Sequence, residues 1–194
     1  MSVCLTITYS QYFTCIMVWS RIIMLCNMLL LKELPTSKSL EKFVRRYPDA
    51  DISAISDFVN FLRASSDIST ALDKLLAKHE LLQGRWWVLV LLMRHDNLTS
   101  TPTDLAEKAG VTKATMTGFI DGLVREGLVT RITDDVDRRK LLIKLTDAGQ
   151  HKLDKVMPDY YKKVSALMSF LNADQRDSLL VNVNLLASGL DVMK

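Results

Sequence analysis

The chain has 194 residues, of which 48% are hydrophobic and 24% are charged, and its formal net charge at pH 7 is +3. This length accommodates one domain with a second lobe and leaves no room for an added catalytic domain. Because the positive excess is small, net charge alone does not indicate a nucleic-acid partner, and such a prediction must depend on where individual cations lie.

Residues 1–31 form a strongly apolar N-terminal extension that differs from everything after it. Three interpretations remain open. A signal peptide would need a basic n-region and a small-residue cleavage site, which are missing. A membrane helix over residues 11–31 has the required length, but Arg21 near its centre costs about 2.5 kcal/mol or more to insert. We favour the third interpretation, in which the start codon is assigned too far upstream and translation begins at Met24 or Met28. A membrane partner is then not expected.

The cysteines indicate the compartment. Cys4, Cys15 and Cys26 all lie in the apolar extension, and the remaining chain has none. A cysteine-free domain fits a reducing environment, so we expect a cytoplasmic protein.

Residues 32–80 are predicted to form N-terminal dimerisation helices. Ser37 or Ser39 is expected to cap a small helix that stops before Tyr47-Pro48. A longer helix then follows over residues 53–78, with a weak, serine-rich middle. Its apolar residues recur at helical spacing, which predicts one buried stripe. The stripe consists of Ile55, Phe58, Val59, Leu62, Leu72, Leu75 and Leu76.

Residues 81–150 are predicted to form a compact lobe around a buried helix. The apolar run over residues 86–93 is too continuous for an exposed helix and too short to span a bilayer. Two short helices follow it. Thr101 is expected to cap the first, with Pro102 as its first residue, and Gly110 suits the left-handed conformation that ends it. Thr112 is expected to cap the second, with Val111 packing against Met116.

The second short helix has one apolar stripe and one polar face. The stripe contains Met116, Phe119, Ile120, Leu123 and Val124, and it turns Lys113, Thr117, Asp121 and Arg125 outward. Gly118 and Gly122 are unusual inside a helix, since each costs about 1 kcal/mol relative to alanine. Close approach of a neighbouring helix, or of a ligand to the helix backbone, could explain them.

After Gly127 the apolar period changes to two, which predicts a two-stranded hairpin. Its long charged loop, residues 134–140, is expected to project from the body. The loop begins like a calcium site, but it lacks the glycine and glutamate that such a loop needs. A projecting loop that ends in Arg138, Arg139 and Lys140 presents cations to a partner.

Residues 151–194 are predicted to form C-terminal dimerisation helices. Thr146 is expected to cap a long helix that bends near Pro158, and Asn172 with Gln175 predicts a capping box for the last helix. The apolar stripe of that helix is larger than the small lobe can cover, so a second copy of the chain is its expected partner. The stripe consists of Leu179, Leu180, Val183, Leu186 and Leu190.

Taken together, the helix pair, the hairpin with its Asp-Arg-Arg loop, and the closing Leu145-Thr146-x-x-Gly149 motif resemble the MarR family of winged-helix regulators. The resemblance covers about residue 53 to the C-terminus. It implies a mainly α fold with a small two- or three-stranded β-wing, in which a winged helix-turn-helix lobe is joined to a helical dimerisation lobe. It also implies a homodimer that binds a pseudo-palindromic operator in double-stranded DNA, more often as a repressor.

By this resemblance, the second short helix would lie in the major groove and the loop of the hairpin, the wing, in the minor groove. Arg139 would enter the minor groove, Asp137 would orient its guanidinium, and Arg138 would add a phosphate contact or a second insertion. The remaining predicted DNA contacts are Thr112, Lys113, Ala114, Thr115, Thr117, Arg125 and Lys140.

Regulators of this family commonly respond to small aromatic or phenolic ligands. His79, Arg85 and Trp86, with the adjacent Trp87, could offer stacking faces and a cation to such an effector. The competing interpretation is that the tryptophans belong to the core and that His79 caps a helix end.

Catalysis finds no support in the sequence, because no nucleophile, base, cofactor motif or metal-ligand cluster occurs at a recognisable spacing. We therefore expect no enzyme activity, no cofactor and no metal. The alternative to a DNA-binding regulator is a non-enzymatic protein-interaction module, with residues 1–31 as a membrane tether in one form of that hypothesis.

Overall fold

The computed structural model describes residues 36–134 and 140–194. In this part of the chain most elements are helices, and three strands form one small antiparallel sheet. In chain order the elements are α1 (Ser37–Arg46), α2 (Ile52–Ala77), α3 (Gln83–Met93), β1 (Thr99–Ser100), α4 (Pro102–Ala109), α5 (Lys113–Arg125), β2 (Val129–Thr133), β3 (Leu141–Leu145), α6 (Asp147–Met168), α7 (Ala173–Ser188) and a 3₁₀ helix, Leu190–Met193. The predicted fold class is confirmed.

Helix α1 begins earlier than either predicted cap allows. The hydroxyl of Thr36 accepts a hydrogen bond from the backbone N–H of Ser39 at 3.2 Å. The expected cap was Ser37 or Ser39, so that prediction is wrong. Three hydroxyl residues among positions 36–39 offer several local caps of similar strength, and nothing in the local pattern selects among them. The helix ends before Pro48 as predicted.

Helix α2 runs without a break through its serine-rich middle, one residue out of step with the predicted bounds. Asp51 caps its first turn by accepting from the N–H of Ala54 at 3.0 Å. At its C-terminal end Leu75 and Leu76 are buried, whereas Ile55 and Phe58 near its start are exposed. Only one end of the predicted stripe is therefore covered within the described chain.

Helix α3 is the centre of the core, as predicted. Val88, Leu89 and Leu92 are fully buried in one cluster with residues of α4, α5, the sheet and α6. The edges of the apolar run are less enclosed, since Trp87 is partly exposed and Met93 is exposed. A helix that is apolar on most sides needs neighbours on most sides, and the surrounding elements provide them.

A sharp turn joins α4 to α5. Gly110 ends α4 with φ +68°, the left-handed conformation predicted for it. Thr101 and Thr112 cap the two helices as predicted, each accepting a hydrogen bond at 3.1 Å from the backbone N–H three residues later. Met116 is fully buried and Val111 packs against the same core. The two helices are thus locked by their own local signals.

The sheet has three strands in the order β1-β3-β2, all antiparallel. In the predicted hairpin Val129 pairs with Leu145 and Thr133 with Leu141. Strand β1 adds Ser100 opposite Ile143 on the other edge of β3. Because β1 has only two residues, its sequence carries no detectable alternation, and the hairpin alone could be predicted in detail.

The sheet is joined to α6 with little space between them. The Thr146 hydroxyl donates to the carbonyl of Gly127 at 2.7 Å and accepts from the N–H of Gly149 at 3.1 Å. At Gly149 a side chain would strike the carbonyl of Leu128. The predicted cap at Thr146 is confirmed, and it also ties the start of α6 to the turn before β2.

Helices α6 and α7 complete the chain. Helix α6 continues through Pro158 as one helix of 22 residues. The predicted capping box of α7 is confirmed, since Asn172 and Gln175 each accept from the other's backbone N–H. In the predicted apolar stripe Val183 is buried, whereas Leu186 and Leu190 are exposed. Much of the apolar surface of these helices is not covered by the described chain.

Candidate nucleic-acid interface

The N-terminal half of α5 presents a prepared polar surface. Thr112, Lys113, Ala114, Thr115 and Thr117 are all exposed. The hydroxyls of Thr112 and Thr115 lie 2.9 Å apart, and the Thr117 hydroxyl donates to the carbonyl of Lys113 at 2.9 Å. The structure therefore brings these five predicted site residues together on the first turns of one helix.

The opposite face of α5 fixes which residues point outward. Met116, Ile120 and Leu123 are fully buried, with Phe119 and Val124 partly buried beside them. Because these residues share one face of the helix, Lys113, Thr117, Asp121 and Arg125 face solvent. The predicted division of α5 into a buried stripe and an exposed face is confirmed.

Arg125 lies apart from this group. It follows Lys113 by twelve residues, which is about 18 Å of helix rise, and its Nε donates to the carbonyl of Asp121 at 3.4 Å. Arg125 is exposed. It belongs to the same helix as the predicted major-groove residues, but it occupies the far end.

The hairpin carries the second group of predicted site residues. At its base the N–H of Asp134 donates to the carbonyl of Lys140 at 3.0 Å, and Lys140 is exposed. Asp137, Arg138 and Arg139 lie outside the described residues, so their roles at the wing tip stay predictions.

The structure adds Arg131, a residue that the sequence pattern did not single out. Its Nη2 forms an ion pair with Asp121 of α5, which links strand β2 to the exposed side of that helix. Strand alternation places Arg131 on the same face as the buried Val129, and its partner Asp121 lies on another element, so the pattern does not predict this ion pair. The wing and α5 are therefore connected by charge as well as by packing.

The first helix of the pair is also tied to the sheet. Asp104 of α4 accepts from the Ser100 hydroxyl at 2.5 Å and from Lys108 Nζ at 2.8 Å. Burial acts to raise the pKa of Asp104, but these hydrogen bonds outweigh it and hold the pKa below the usual 3.8. Lys108 Nζ also lies 3.2 Å from Nε2 of His95, at the end of α3.

The predicted ligand residues have separate partners. His79 Nε2 lies 3.3 Å from the carboxylate of Asp159, and Arg85 forms an ion pair with Glu126. Trp86 is 1% exposed, and its ring centroid lies 4.5 Å from that of Trp87 and 4.8 Å from that of Tyr160. The single chain does not present these side chains to one open site, and their ligand role stays a prediction.

Among residues 36–134 and 140–194 no cluster of three or more His, Cys, Asp or Glu side chains is arranged to hold a metal ion. Within the same two ranges, no helix combines the length and the apolar character that crossing a membrane requires.

Two short helices joined by a glycine turn and followed by a two-stranded hairpin define a winged helix-turn-helix protein. The family model described as MarR family matches residues 81–141. The chain is 31% identical over 164 residues to the HTH-type transcriptional repressor YetL of Bacillus subtilis (strain 168), and the match covers 84% of this chain and 98% of that protein. It is 24% identical over 147 residues to the HTH-type transcriptional regulator PecS of Dickeya dadantii (strain 3937), covering 75% of this chain and 89% of that one. The chain belongs to the MarR family of winged helix-turn-helix transcriptional regulators.

Solved structures agree with the fold. AbsC, a MarR family transcriptional regulator from Streptomyces coelicolor, matches with a TM-score of 0.67 at 22% identity, over 73% of this chain and 96% of that chain. Sco3205 from the same organism, solved in complex with DNA, matches with a TM-score of 0.65 at 24% identity, over 73% of this chain and 89% of that chain. Since members of this family regulate transcription, the chain is not an enzyme.

Proposed function

We propose that this chain is a homodimeric transcriptional repressor that binds a pseudo-palindromic operator in double-stranded DNA. The observation that carries the proposal is the exposed first half of α5, whose polar residues Thr112, Lys113, Thr115 and Thr117 are held on a helix with a fully buried opposite face. A helix of this kind can enter the major groove with its N-terminal residues against base edges and phosphates.

The wing supplies the second part of the proposed interface. Arg139 enters the minor groove, Asp137 orients it, and Arg138 and Lys140 contribute phosphate contacts or a further insertion. Contacts from a helix and a wing on one lobe would fix the register of that lobe on the duplex. The relatives named as repressors and the neighbour solved with DNA support this assignment.

The proposed dimer is supported by the apolar surface of the helices outside the winged lobe. The side chains of Phe170 and Val192 are 85% and 91% exposed in the single chain. Apolar surface of this extent commonly marks a protein–protein interface. In a two-fold dimer the two α5 helices would meet half-sites about one helical turn, roughly 34 Å, apart. Other large apolar residues of this surface are Phe43, Tyr47, Ile55, Phe58, Leu167, Val181, Leu185, Leu186 and Leu190.

We further propose that a small aromatic or phenolic ligand releases the DNA. The indole N–H of Trp86 and the side-chain amide nitrogen of Gln83 are buried without a hydrogen-bond partner among the described residues. Both are donors, so a ligand with an oxygen acceptor would suit them.

A cytoplasmic location fits this function, since the DNA is there.

The test is a gel-shift titration of the purified chain against the DNA upstream of its own gene, repeated at several salt concentrations. Binding should weaken as salt rises, with a slope of about −0.9 per phosphate contact. Arg139→Ala and Arg138→Ala should each weaken binding and reduce the slope by about one. Lys155→Ala, which removes an exposed cation of α6, is the matched control.

Unchanged affinity and slope in both arginine variants would reject the wing assignment. A wild-type chain that binds neither this DNA nor any duplex selected from a random pool would reject the repressor proposal. That outcome would favour a protein-interaction module.

A further inference from the structure

Helices α3 and α5 pack against each other at two glycines, one on each helix. Each glycine is in contact with a large side chain from the other helix. A Cβ atom on Gly84 of α3 would strike the ring of Phe119, and one on Gly122 of α5 would strike the guanidinium of Arg85. Both distances from the added Cβ atom would be well below 3.0 Å, the lower limit for a Cβ contact in real proteins. Each helix therefore places a large side chain directly on the bare backbone of the other.

Arg85 makes a second contact with the same helix. Its guanidinium extends from Gly122 to an ion pair with Glu126, the residue that caps the end of α5. The side chain of Arg85 is 21% exposed and that of Glu126 is 40% exposed. A planar guanidinium can lie flat on a helix backbone and still donate in its own plane, which a lysine ammonium cannot do.

The other side of α5 is held in a similar way. Asp121 forms its ion pair with Arg131 of β2. Two arginines from the flanking elements thus hold the C-terminal half of α5, whereas the DNA contacts predicted for this helix, Arg125 excepted, occupy its N-terminal half.

This arrangement makes the tilt of α5 important for DNA binding. Lys113 precedes Gly122 by nine residues, or about 13.5 Å of helix rise, so a tilt of about 10° about Gly122 would move Lys113 by about 2 Å. Hydrogen bonds to base edges tolerate displacements of about 0.5 Å. A small change of tilt at Gly122 therefore displaces Lys113 by more than a hydrogen bond to a base edge tolerates.

We infer that Arg85 is a positioning residue for DNA binding. Through Gly122 and Glu126, it sets the tilt of α5 on α3 without touching DNA itself. The inference rests on the proposed function, because it assumes that the first half of α5 meets DNA.

Glu126→Gln separates this role from simple electrostatics. If only charge mattered, removing an acid from a DNA-binding lobe would strengthen binding to the DNA polyanion. If Glu126 holds Arg85 in place, the same change weakens binding. Gly122→Ala displaces the guanidinium without altering any charge, and it should weaken binding for the same reason.

The experiment measures fluorescence anisotropy with two probes, a duplex that the wild-type chain selects from random DNA and a scrambled duplex of equal composition. Arg85→Ala, Glu126→Gln, Gly122→Ala and the Arg85→Ala/Glu126→Gln pair are compared with Asp67→Asn. That control removes one acid from another arginine pair, Arg63–Asp67 of α2. Circular dichroism establishes that each variant is folded.

The three single variants should each bind the selected duplex about tenfold more weakly. The double variant should be no weaker than the singles, since both changes break one linkage. The salt slope should stay as in wild type because no phosphate contact is lost, and binding to the scrambled duplex should follow only the small change in net charge of each variant.

Two results would overturn the inference while leaving the proposed function intact. One is Glu126→Gln binding the selected duplex as tightly as wild type or more tightly. The other is a fall of about one in the salt slope of Arg85→Ala, which would make Arg85 a direct phosphate contact. A wild-type chain that selects no duplex would overturn both proposals together.

Discussion

Gly118 and Gly122 lie one helical turn apart in α5, yet their surroundings are opposite. Gly122 is buried beneath the Arg85 guanidinium, whereas a Cβ atom on Gly118 would meet nothing within 4 Å. Close packing within the chain therefore accounts for Gly122 and not for Gly118. The open position of Gly118 on the exposed face is compatible with a close approach of the helix backbone to DNA.

The two glycines should respond differently to the same substitution. Gly118→Ala should raise the free energy of unfolding by about 1 kcal/mol, because alanine is the better helix former and no neighbour obstructs it. Gly122→Ala has the same intrinsic gain but must displace Arg85, so its free energy of unfolding should lie below that of Gly118→Ala. Urea unfolding at equal protein concentration measures both. Equal stabilisation by the two variants would contradict the packing described for Gly122.

At this scale the sequence predicts what depends on neighbours along the chain. The caps at Thr101, Thr112, Thr146 and Asn172 follow from local hydrogen-bonding rules and were predicted correctly. The partners of Arg85 could not be predicted, because Glu126 lies 41 residues away and the contact depends on how two helices cross.

Among the elements, α4 is held to the sheet by a cluster of polar side chains in addition to the shared apolar core. Ser100 of β1 and Lys108 of α4 both donate to the carboxylate of Asp104. The sequence indicates Asp104 as a favourable first-turn acid, but β1 is too short to predict and Ser100 could not be recognised as its donor.

This cluster makes a contribution to stability that depends on pH. The folded-state pKa of Asp104 lies below its unfolded value, so its stabilising effect is present above about pH 4 and is lost as pH falls through the folded pKa. Asp104→Asn should lower the free energy of unfolding at pH 7 by less than about 1 kcal/mol, since the side chain is partly exposed. It should also reduce the loss of stability on acidification below pH 4.

Asp73 provides a control of opposite sign. Burial raises the pKa of Asp73, which means that its ionised form is disfavoured in the folded chain. Asp73→Asn should therefore increase the free energy of unfolding at pH 7, with the gain disappearing in acid. Urea unfolding between pH 3 and pH 7 measures both variants. A drop in stability at pH 7 for Asp73→Asn would show that the signs are misassigned.

For the whole molecule, the exposed apolar helices make the oligomeric state the central question. Leu185 of α7 is 68% exposed, so Leu185→Asp should leave the subunit fold intact while placing a charge in the proposed interface. The variant should be a monomer at micromolar concentrations, where we expect the wild-type chain to be a dimer. Light scattering coupled to size-exclusion chromatography measures this.

Leu82→Asp is the matched control, because Leu82 is 61% exposed and occupies an N-cap position that accepts aspartate. It should remain dimeric. A wild-type chain that is monomeric under the same conditions would contradict the dimer.

The exposed apolar residues of α7 also show what the sequence pattern could not predict, namely which side of this helix meets a partner. The stripe predicted for α7 contains Val183, Leu186 and Leu190, but Val181 and Leu185 outside it are exposed as well. Apolar residues on several sides of one helix indicate that something must cover them, without showing which side meets which partner.

The joint at Thr146 and Gly149 has a consequence for how two subunits would communicate. With no room between Gly149 and the Leu128 carbonyl, the long helix that starts here cannot swing independently of the sheet. That helix has 22 residues and is about 33 Å long, so a rotation of about 5° at one end shifts the other by about 3 Å. In the proposed dimer, a change in subunit spacing would therefore move both hairpins. The distance between the two hairpins would depend on the geometry of the dimer interface.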